Sequence, residues 1–306
     1  MKVLVVGGAG YVGSHAVRAL EAAGHEAWVL DNLYQGHRGA VPEGRLIEGD
    51  LLRPADLNAT LERTGAEAVM HFAALSLVGE SVDEPARYYE NNVVGTLNLL
   101  EAMRERGVWR IVFSSTAATY GTPEASPIPD DAPQIPINPY GRTKLAIEQA
   151  LESYAGAYDF GFAALRYFNA AGAHISGEIG EDHSPETHLI PIVLQVALGQ
   201  REHVTIFGDD YPTPDGTCIR DYIHVDDLCD AHVRALERLE PGTMFKFNLG
   251  TGRGFSVREV IHACRRVTGH AIPELVGTRR AGDPPELVAD SRRAQDLFGW
   301  KPKFTS

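Results

Sequence analysis

The first 31 residues of the chain, MKVLVVGGAGYVGSHAVRALEAAGHEAWVLD, decide the fold. The apolar run 1–6 predicts a β-strand, the glycine-rich turn GGAGYVG follows at 7–13, and residues 14–23 carry apolar side chains at helical spacing. A second apolar run at 27–30 predicts another strand, which ends in Asp31. Strand, glycine turn, helix, strand and acid occur in the order of a dinucleotide-binding βαβ unit.

Three glycines of this turn have a physical reason. Gly7 permits the tight turn after the strand, and Gly13 lets the helix lie close to the strand. Gly10 lets backbone N–H groups approach a pyrophosphate at the positive end of the helix. Asp31 can accept hydrogen bonds from a ribose 2′-hydroxyl and would repel a 2′-phosphate, so the unit predicts NAD rather than NADP as the cofactor.

The composition is that of an ordinary soluble protein of 306 residues, 44% hydrophobic and 23% charged. A net charge of −13 argues against nucleic acid or an anionic membrane as a partner, since both require a basic surface. The cysteines Cys218, Cys229 and Cys264 lack C-x-x-C spacing, so we expect reduced, structural thiols in a cytoplasmic protein. No apolar run resembles a signal peptide or is long enough to span a membrane.

Strands and helices continue to alternate after Asp31. Strands are predicted at 45–48, 68–72, 110–113 and 162–167, and helices at 54–63, 85–106 and 139–158. The alternation predicts an α/β fold, a Rossmann-type doubly wound parallel sheet, with a smaller C-terminal α/β substrate lobe. We expect residues 1–168 to form the NAD-binding domain, to which parts of the later chain return, and residues 169–306 to form mainly the substrate lobe.

The pattern changes in the second half of the chain. Residues 170–186 are polar and irregular, which predicts a long loop. A helix is predicted at 188–199, and strands at 204–207, 219–225 and 244–249. We expect Asp226 to cap the helix that follows it, and Ser256 with Glu259 to form the capping box of a helix ending at Gly269.

Tyr140 and Lys144 carry the clearest chemical signal. They stand four residues apart near the start of a predicted helix, on the same face as the apolar Ile147 and Leu151, so both should face the sheet. Taken alone, Tyr-x-x-x-Lys is more often a solvated helix start with a snorkelling lysine.

Neighbouring groups change this interpretation. A phenol has a pKa of about 10, and lowering it by about three units requires about 4 kcal/mol. A lysine cation roughly 4–5 Å away supplies roughly 3–4 kcal/mol, and an oxidised nicotinamide ring acts in the same direction. We therefore expect Tyr140 to be a general base near neutral pH, aided by Lys144. Thr116, just past a strand end, can hydrogen-bond the same substrate hydroxyl, although by itself it would be an ordinary turn hydroxyl.

Eight segments together resemble the extended short-chain dehydrogenase/reductase family, and within it the sugar-nucleotide C4 epimerases. They occur in the family's order: GGAGYVG at 7–13, HFAA at 71–74, NNVVGT at 91–96, FSSTAATYG at 113–121, PYGRTK at 139–144, RYFN at 166–169, IRDYIHVDD at 219–227 and RRAGDPPELVAD at 279–290. The glycine turn and Tyr-x-x-x-Lys occur throughout the superfamily, whereas the last two segments are more specific to sugar-nucleotide enzymes.

The resemblance implies interconversion of UDP-glucose and UDP-galactose. Tyr140 would take the proton of the sugar 4-hydroxyl, helped by Lys144 and Thr116, while the C4 hydride passes to NAD. The 4-keto sugar would then turn over and receive the hydride on its other face, so that NAD is retained with no net turnover. The resemblance also implies a homodimer through the helices at 85–106 and 139–158.

The family's binding positions are carried over residue by residue, and no metal is implied. The positions that match its cofactor contacts are Gly7, Gly10, Tyr11, Val12, Gly13, Asp31, Asn32, Asp50, Leu51, Phe72, Ala73, Ala74, Asn91, Ser114, Tyr140, Lys144 and Tyr167. The positions that match its UDP-sugar contacts are Thr116, Tyr140, Asn169, His188, Leu189, Phe207, Arg220, Arg280, Asp283 and Leu287. Two arginines could neutralise a diphosphate within an acidic protein.

Departures from the family pattern leave alternatives open. The related 4,6-dehydratases carry an acidic pair where Ala117 and Ala118 stand, so an acid for water elimination is missing here. Leu287 is intermediate between the large tyrosine that favours plain hexoses and the small residue that admits N-acetylated ones, so UDP-N-acetylhexosamine or UDP-glucuronate is an alternative substrate. Ser76 replaces a lysine that often contacts the cofactor. The family continues past Ser306 into another helix, which leaves a trimmed C-terminus open.

Two further interpretations come from other classes. A non-catalytic NAD-binding sensor could use the same fold, although such proteins usually lose the tyrosine or the lysine. Glu181, Asp182, His183 and His188 could suggest a metal site. Their spacing matches no standard ligand set, so a solvated loop is the favoured interpretation.

Overall fold

Strands and helices alternate along most of the chain. The computed structural model describes residues 1–280 and 283–305; Ala281 and Gly282, which belong to the predicted segment 279–290, and Ser306 lie outside the described residues. The strands are β1 (Lys2–Val6), β2 (Glu26–Asp31), β3 (Leu46–Glu48), β4 (Ala68–His71), β5 (Arg110–Thr116), β6 (Gly161–Tyr167), β7 (Asn169–Ala171), β8 (Val204–Phe207), β9 (Ile219–His224), β10 (Met244–Leu249), β11 (Gly254–Ser256), β12 (Glu274–Gly277) and β13 (Glu286–Leu287). The α-helices are α1 (Tyr11–Ala22), α2 (Pro54–Thr64), α3 (Val78–Asp83), α4 (Pro85–Tyr88), α5 (Gly95–Glu105), α6 (Pro139–Tyr158), α7 (Leu189–Ala197), α8 (Val225–Glu237), α9 (Val257–Thr268) and α10 (Arg292–Phe298).

Seven strands form the main sheet in the order β10-β6-β5-β4-β1-β2-β3. Each neighbouring pair runs parallel. The chain leaves β1 towards β2 on one side and later returns to β4 on the other, so the strand order reverses at β1. The predicted Rossmann-type doubly wound sheet is therefore confirmed, with its ligand-binding switch point beside β1.

The two faces of β1 are buried in two different cores. Val3 and Val5 pack in the core covered by α1, α8 and α10. Leu4 and Val6 pack in the core covered by α2, α5 and α6. Side chains alternate across a strand, so a strand with helices on both faces reads as the continuous apolar run that begins this sequence.

The smaller lobe is built from short strands of the later chain. β9 pairs with β11, β13 and β7, and β8 pairs with β12. α7 and α9 contribute to the core that lies on β8. However, β10 is an edge strand of the main sheet, and α8 packs on α1, so residues beyond 168 also build the main unit. The division of the chain at 168 and 169 stays a prediction. None of the helices that the structure describes has the length and apolar content needed to cross a membrane.

The helix predicted at 85–106 is present but not uniform. α4 continues into a π-helical segment, Tyr89–Val94, and then into α5. The bounds of α6 agree with the prediction, because Pro139 occupies its first turn and the side chain of Asn138 caps it by accepting a hydrogen bond from the Gly141 amide at 2.8 Å. Neither α3 nor α10 is predicted from the sequence.

The prediction that Asp226 caps α8 is wrong. The cap is His224, whose Nδ1 accepts a hydrogen bond from the Asp226 amide at 3.1 Å. Asp226 lies in the first turn, where a carboxylate stabilises the positive end of the helix dipole. The capping box of Ser256 and Glu259 is confirmed, with both of its reciprocal hydrogen bonds present.

A buried polar network ties α6 to the main sheet. Arg166 of β6 donates to Glu148 of α6 from Nη2 at 2.7 Å and from Nε at 3.0 Å. Its Nη1 donates to the Tyr120 hydroxyl at 2.7 Å and to the Asp130 carbonyl at 2.9 Å. Burial alone would lower the pKa of Arg166, but Glu148 raises it, so the guanidinium stays charged. The network also holds the proline-rich segment that contains Asp130 against the sheet.

Replacing Asp130 by asparagine is expected to stabilise the protein at neutral pH more than in acid. Asp130 is 9% exposed, and burial raises its pKa to about 6, although a hydrogen bond from the Asn248 amide opposes this shift. A carboxyl group whose pKa is higher in the folded state stabilises folding less as the pH rises from about 4 through about 6. Asparagine has the same shape and avoids this loss.

Denaturant unfolding at about pH 7.5 and about pH 5 measures the effect. The gain in free energy of unfolding for Asp130→Asn over the wild type should be about 1 kcal/mol larger at the higher pH. Asp131→Asn, at the exposed neighbouring carboxylate, is the control and should show no such difference. A gain for Asp130→Asn that is equal at both pH values would contradict the burial argument.

Candidate active site

A cleft of about 1070 Å³ opens at the carboxyl ends of the main strands. It extends from the ends of β1 and β2, past β4 and β5, to the smaller lobe. All the predicted cofactor positions line it: Gly7, Gly10, Tyr11, Val12, Gly13, Asp31, Asn32, Asp50, Leu51, Phe72, Ala73, Ala74, Asn91, Ser114, Tyr140, Lys144 and Tyr167. The structure therefore brings these positions together, although they are spread over more than half of the chain.

The glycine turn forms one wall of this cleft. Gly7 has a φ of +82°, in the left-handed region that favours glycine, and a Cβ on Gly13 would overlap the Gly7 carbonyl oxygen. Gly10 is different. A Cβ there would lie 3.5 Å from the Gly7 oxygen, which is an ordinary contact, and would otherwise face open space among the described residues. This opening lies at the N-terminus of α1, where backbone N–H groups bind phosphate.

Asp31 stands at the end of β2 on the rim of the cleft. Its Oδ2 accepts a hydrogen bond from the Ala9 amide at 2.9 Å, and its Oδ1 accepts one from the Leu33 amide at 2.8 Å. These two donors orient the carboxylate, and each oxygen keeps a lone pair for a further donor. The oriented acid and the open space at Gly10 fit a dinucleotide with a free ribose 2′-hydroxyl.

The three predicted catalytic residues meet at one end of the cleft. Lys144 donates from Nζ to the Ser114 carbonyl at 2.8 Å, and this nitrogen lies 5.9 Å from the centre of the Tyr140 ring. Thr116 is the last residue of β5 and hydrogen-bonds to Tyr140, and its Oγ1 accepts from the Ala118 amide at 3.2 Å. The strand is three residues longer than predicted, which carries Thr116 to this position.

The protein surroundings of Tyr140 shift its pKa upward, and the expectation that Lys144 and oxidised NAD together lower it stays a prediction. Burial raises the pKa of Tyr140 to about 12, and the hydrogen bond with Thr116 opposes the shift. Burial also lowers the pKa of Lys144 to about 7, although the charge of Glu148 opposes this. Lys144 is buried and Tyr140 half-buried, and desolvation is the largest cause of both pKa shifts. Positive charge placed beside Tyr140 would lower its pKa again.

The predicted substrate positions divide into two groups. The positions that line the cleft are Thr116, Tyr140, Asn169, His188, Arg220, Asp283 and Leu287. Arg220 donates from Nη2 to Oδ1 of Asp283 at 2.5 Å. Phe207 and Arg280 lie together beside the cleft, with the guanidinium carbon 4.0 Å from the ring centre. A smaller cavity of about 240 Å³ contains Arg280 and shares Asp283 with the cleft.

Leu189 is not among the residues that line the cleft. It is the first residue of α7 and packs on the core of the smaller lobe. The apolar pattern at 188–199 predicts a helix but does not say what each apolar side chain faces. An apolar side chain at the start of such a helix can face a ligand or the core.

The loop predicted at 170–186 packs against the glycine turn, and this contact was missed from the sequence. Tyr11 donates from its hydroxyl to the Gly172 carbonyl at 2.6 Å, and its ring centre lies 6.1 Å from that of His183. The expectation of a solvated loop is wrong for its glutamates, since the side chains of Glu181 and Glu186 are 8% and 4% exposed. The acids and histidines at 181–188 were the sequence feature that could have indicated a structured loop.

Comparison with known proteins agrees with this geometry. Residues 3–250 match the model of the NAD dependent epimerase/dehydratase family. A UDP-glucose 4-epimerase of Halalkalibacterium halodurans is 57% identical over 307 residues, which cover 100% of this chain and 92% of that protein.

Two solved structures are also similar to this chain. The UDP-glucose 4-epimerase from Brucella ovis in complex with NAD is 51% identical, with a TM-score of 0.96, and the match covers 100% of this chain and 94% of that one. The UDP-glucose 4-epimerase from Bifidobacterium longum in complex with NAD+ and UDP is 39% identical, with a TM-score of 0.95 and coverage of 100% and 94%.

Replacing Gly10 by alanine is expected to leave the fold intact and to weaken dinucleotide binding at least about tenfold. The added methyl group would occupy the open space at the N-terminus of α1 without meeting the protein closely. Dinucleotide released from the purified protein by denaturation can be quantified chromatographically, and circular dichroism checks the fold. Gly156→Ala, on α6 with no described atom within 4 Å of the new Cβ, is the matched control. Equal dinucleotide affinity in Gly10→Ala and the wild type would contradict the assignment.

Proposed function

This chain belongs to the NAD dependent epimerase/dehydratase family, and we propose that it interconverts UDP-glucose and UDP-galactose at C4 of the sugar. The main support for this proposal is that Tyr140, Lys144 and Thr116 lie together at one end of the cleft that the cofactor positions line. The named activities of the similar proteins support the sugar nucleotide as the substrate.

Tyr140 is proposed as the base that takes the proton of the 4-hydroxyl and returns it in the reverse step. Thr116, already hydrogen-bonded to the phenol, orients the same hydroxyl. Lys144 is held by the Ser114 carbonyl, which leaves its other N–H groups free for a ribose hydroxyl and for stabilising the phenolate. A proton held at the Tyr140 oxygen is thus delivered within the cleft and not to bulk water.

The cofactor positions around the glycine turn fit NAD, with Asp31 as the proposed acceptor for the adenosine ribose hydroxyls. When bound, oxidised NAD supplies an acceptor for the hydride from C4 of the sugar, and a positive charge beside the phenol. That charge acts in the direction that Tyr140 requires, since burial alone raises its pKa to about 12. The pairing of a buried phenol with a cationic cofactor favours proton removal when the cofactor is in the oxidised state.

The diphosphate is proposed to lie between Arg220 and Arg280. Arg220 is mostly buried and paired with Asp283, and Arg280 covers the ring of Phe207. A diphosphate would share the Arg220 guanidinium with the aspartate and recruit Arg280 from the neighbouring cavity. Two arginines supply the local positive charge that a chain with a net charge of −13 otherwise lacks.

The residues that line the cleft bear on two competing activities, dehydration and epimerisation of a different UDP-sugar. Ala117 and Ala118 line it where a dehydratase would need an acid, so elimination of water lacks a proton donor there. Leu287 also lines the cleft, and its intermediate size keeps UDP-N-acetylhexosamine as the alternative substrate. Parallel assays with the two UDP-sugar classes separate these activities by their ratio of kcat/KM.

Replacing Tyr140 by phenylalanine is expected to lower the rate of epimerisation by about 100-fold or more, because the proton acceptor is lost while the ring remains. The assay is the conversion of UDP-galactose to UDP-glucose without added NAD, followed by chromatography. Tyr158→Phe, at the exposed end of the same helix, is the control and should keep the wild-type rate. The bound NAD of both variants should equal that of the wild type.

Two results would contradict the proposal. A Tyr140→Phe variant with the wild-type rate would remove the tyrosine from the mechanism. A wild-type protein that converts neither UDP-hexose, even with NAD added, would exclude the epimerase and leave the non-catalytic sensor.

We also propose a cytoplasmic homodimer that forms through α5 and α6. Large apolar side chains on and beside these helices are exposed, with Val94 at 47% and Leu97 at 37%. Exposed apolar side chains on neighbouring turns are typical of a protein interface. The three cysteines are unpaired, which agrees with a reducing compartment.

The double variant Val94→Glu with Leu97→Glu is expected to be a monomer, because two charges would be buried in the interface. Multi-angle light scattering should give twice the chain mass for the wild type and the chain mass for the double variant. Val267→Glu, at an exposed apolar position on α9, is the control and should stay dimeric. A wild type with the mass of one chain would rule the dimer out.

A further inference from the structure

Four side chains of the loop before α7 converge on one point. Glu181, His183, Glu186 and His188 each offer one ligand atom, and these four atoms all lie within 4.8 Å of one another. The two carboxylates are nearly buried, whereas the two imidazoles are partly exposed. The catalytic role proposed above for Tyr140, Lys144 and Thr116 does not use this cluster.

The distances from His183 Nδ1 to the two glutamates match the spacing of ligands around a small divalent cation, and those from His188 Nδ1 are shorter, at hydrogen-bond length. A tetrahedral Zn²⁺ site has bonds of about 2.0–2.2 Å to nitrogen and oxygen, which places neighbouring ligand atoms about 3.4 Å apart. His183 Nδ1 lies 3.4 Å from a Glu181 oxygen and 3.7 Å from a Glu186 oxygen. His188 Nδ1 lies 2.9 Å and 3.0 Å from oxygens of the same two glutamates.

Two details distinguish the cluster from an accidental group of charges. His183 Nδ1 is inaccessible to solvent and makes no hydrogen bond among the described residues, although it points between two carboxylates. Glu186 is fixed by its own backbone surroundings, since its Oε1 accepts from the Thr187 and His188 amides at 2.7 Å each. Hydrogen bonds of this kind orient the ligating carboxylates of metal sites.

We propose that Glu181, His183, Glu186 and His188 bind one Zn²⁺ ion in a closed structural site. The two imidazoles and two carboxylates supply four ligands of the types that zinc accepts, and together they neutralise its charge. With four protein ligands no position remains for water or substrate, so the site holds the loop and carries out no chemistry. This assigns the His188 imidazole to the metal instead of the predicted UDP-sugar contact.

The place of the cluster indicates what such an ion would do. The loop lies across the glycine turn, with the Tyr11 hydroxyl donating to the Gly172 carbonyl at 2.6 Å. His37, which follows β2, lies 3.0 Å through Nε2 from the Asp182 carbonyl. An ion that joins residues 181–188 would fix the part of the loop that covers the dinucleotide. We therefore expect zinc to slow the loss of the bound cofactor.

Zinc content of the purified full-length chain tests the site. After chelation, reloading with Zn²⁺ and desalting, mass spectrometry of the metal should find about one zinc per chain. His183→Ala and Glu186→Gln should each lower the zinc affinity at least about tenfold. Glutamine keeps the acceptor for the two backbone amides, so Glu186→Gln removes the charged ligand with little change to the loop. Glu178→Gln, at an exposed carboxylate of the same loop, is the matched control.

Two further readouts separate a built site from surface zinc and from the epimerase activity. Co²⁺ loaded in place of zinc should show the visible absorption of tetrahedral cobalt in the wild type and in Glu178→Gln, and lose it in His183→Ala. Release of bound NAD after dilution should be faster in the chelated protein. Zinc that leaves on desalting, or that binds equally to His183→Ala and the wild type, would overturn the proposal. Because metal content is measured without substrate, failure here is distinct from failure of the proposed epimerase.

Discussion

The buried pair of Arg166 and Glu148 fixes the helix on which the chemistry depends. Both side chains are at most 2% exposed, and the guanidinium contacts both carboxylate oxygens. Ser115, next to the end of β5, donates to the same carboxylate at 2.5 Å. Breaking such a pair by removing one partner costs about 3–5 kcal/mol, because the other charge is left buried. Glu148 lies one turn after Lys144, so this pair sets how α6 meets the ends of β5 and β6.

The same burial that orders α6 also determines the electrostatics of the cleft. Tyr140 and Lys144 are both shifted towards their neutral forms, to pKa values of about 12 and about 7. A neutral Tyr140 phenol and a partly neutral Lys144 amine reduce the unpaired charge that is buried in the cleft. A cationic cofactor beside the phenol would lower the pKa of Tyr140. The proposed role of Tyr140 as the base therefore depends on the charge of the oxidised cofactor.

The sequence predicts the main sheet and the glycine turn with Asp31 because these depend on local periodicity and on a motif placed in register with it, whereas the other cofactor positions come from the family resemblance. Other features depend on tertiary contacts. His224 caps α8 because an imidazole nitrogen can accept the hydrogen bond for which a carboxylate was expected. The pKa of Tyr140 depends on burial, which no spacing reveals. The convergence of Glu181, His183, Glu186 and His188 depends on the conformation of a loop that packs on Tyr11. Leu189 faces the core, which helical periodicity alone does not distinguish from the cleft.

We expect the hydrogen removed from C4 of the sugar to stay within the cleft and to return to the same carbon. UDP-galactose carrying deuterium at C4, incubated with the full-length protein in ordinary water, tests this most directly. The UDP-glucose product is expected to keep its deuterium at C4, because the proposed hydride moves to the bound cofactor and back while only the hydroxyl proton passes through Tyr140. Loss of the deuterium to water at the rate of epimerisation would contradict the account.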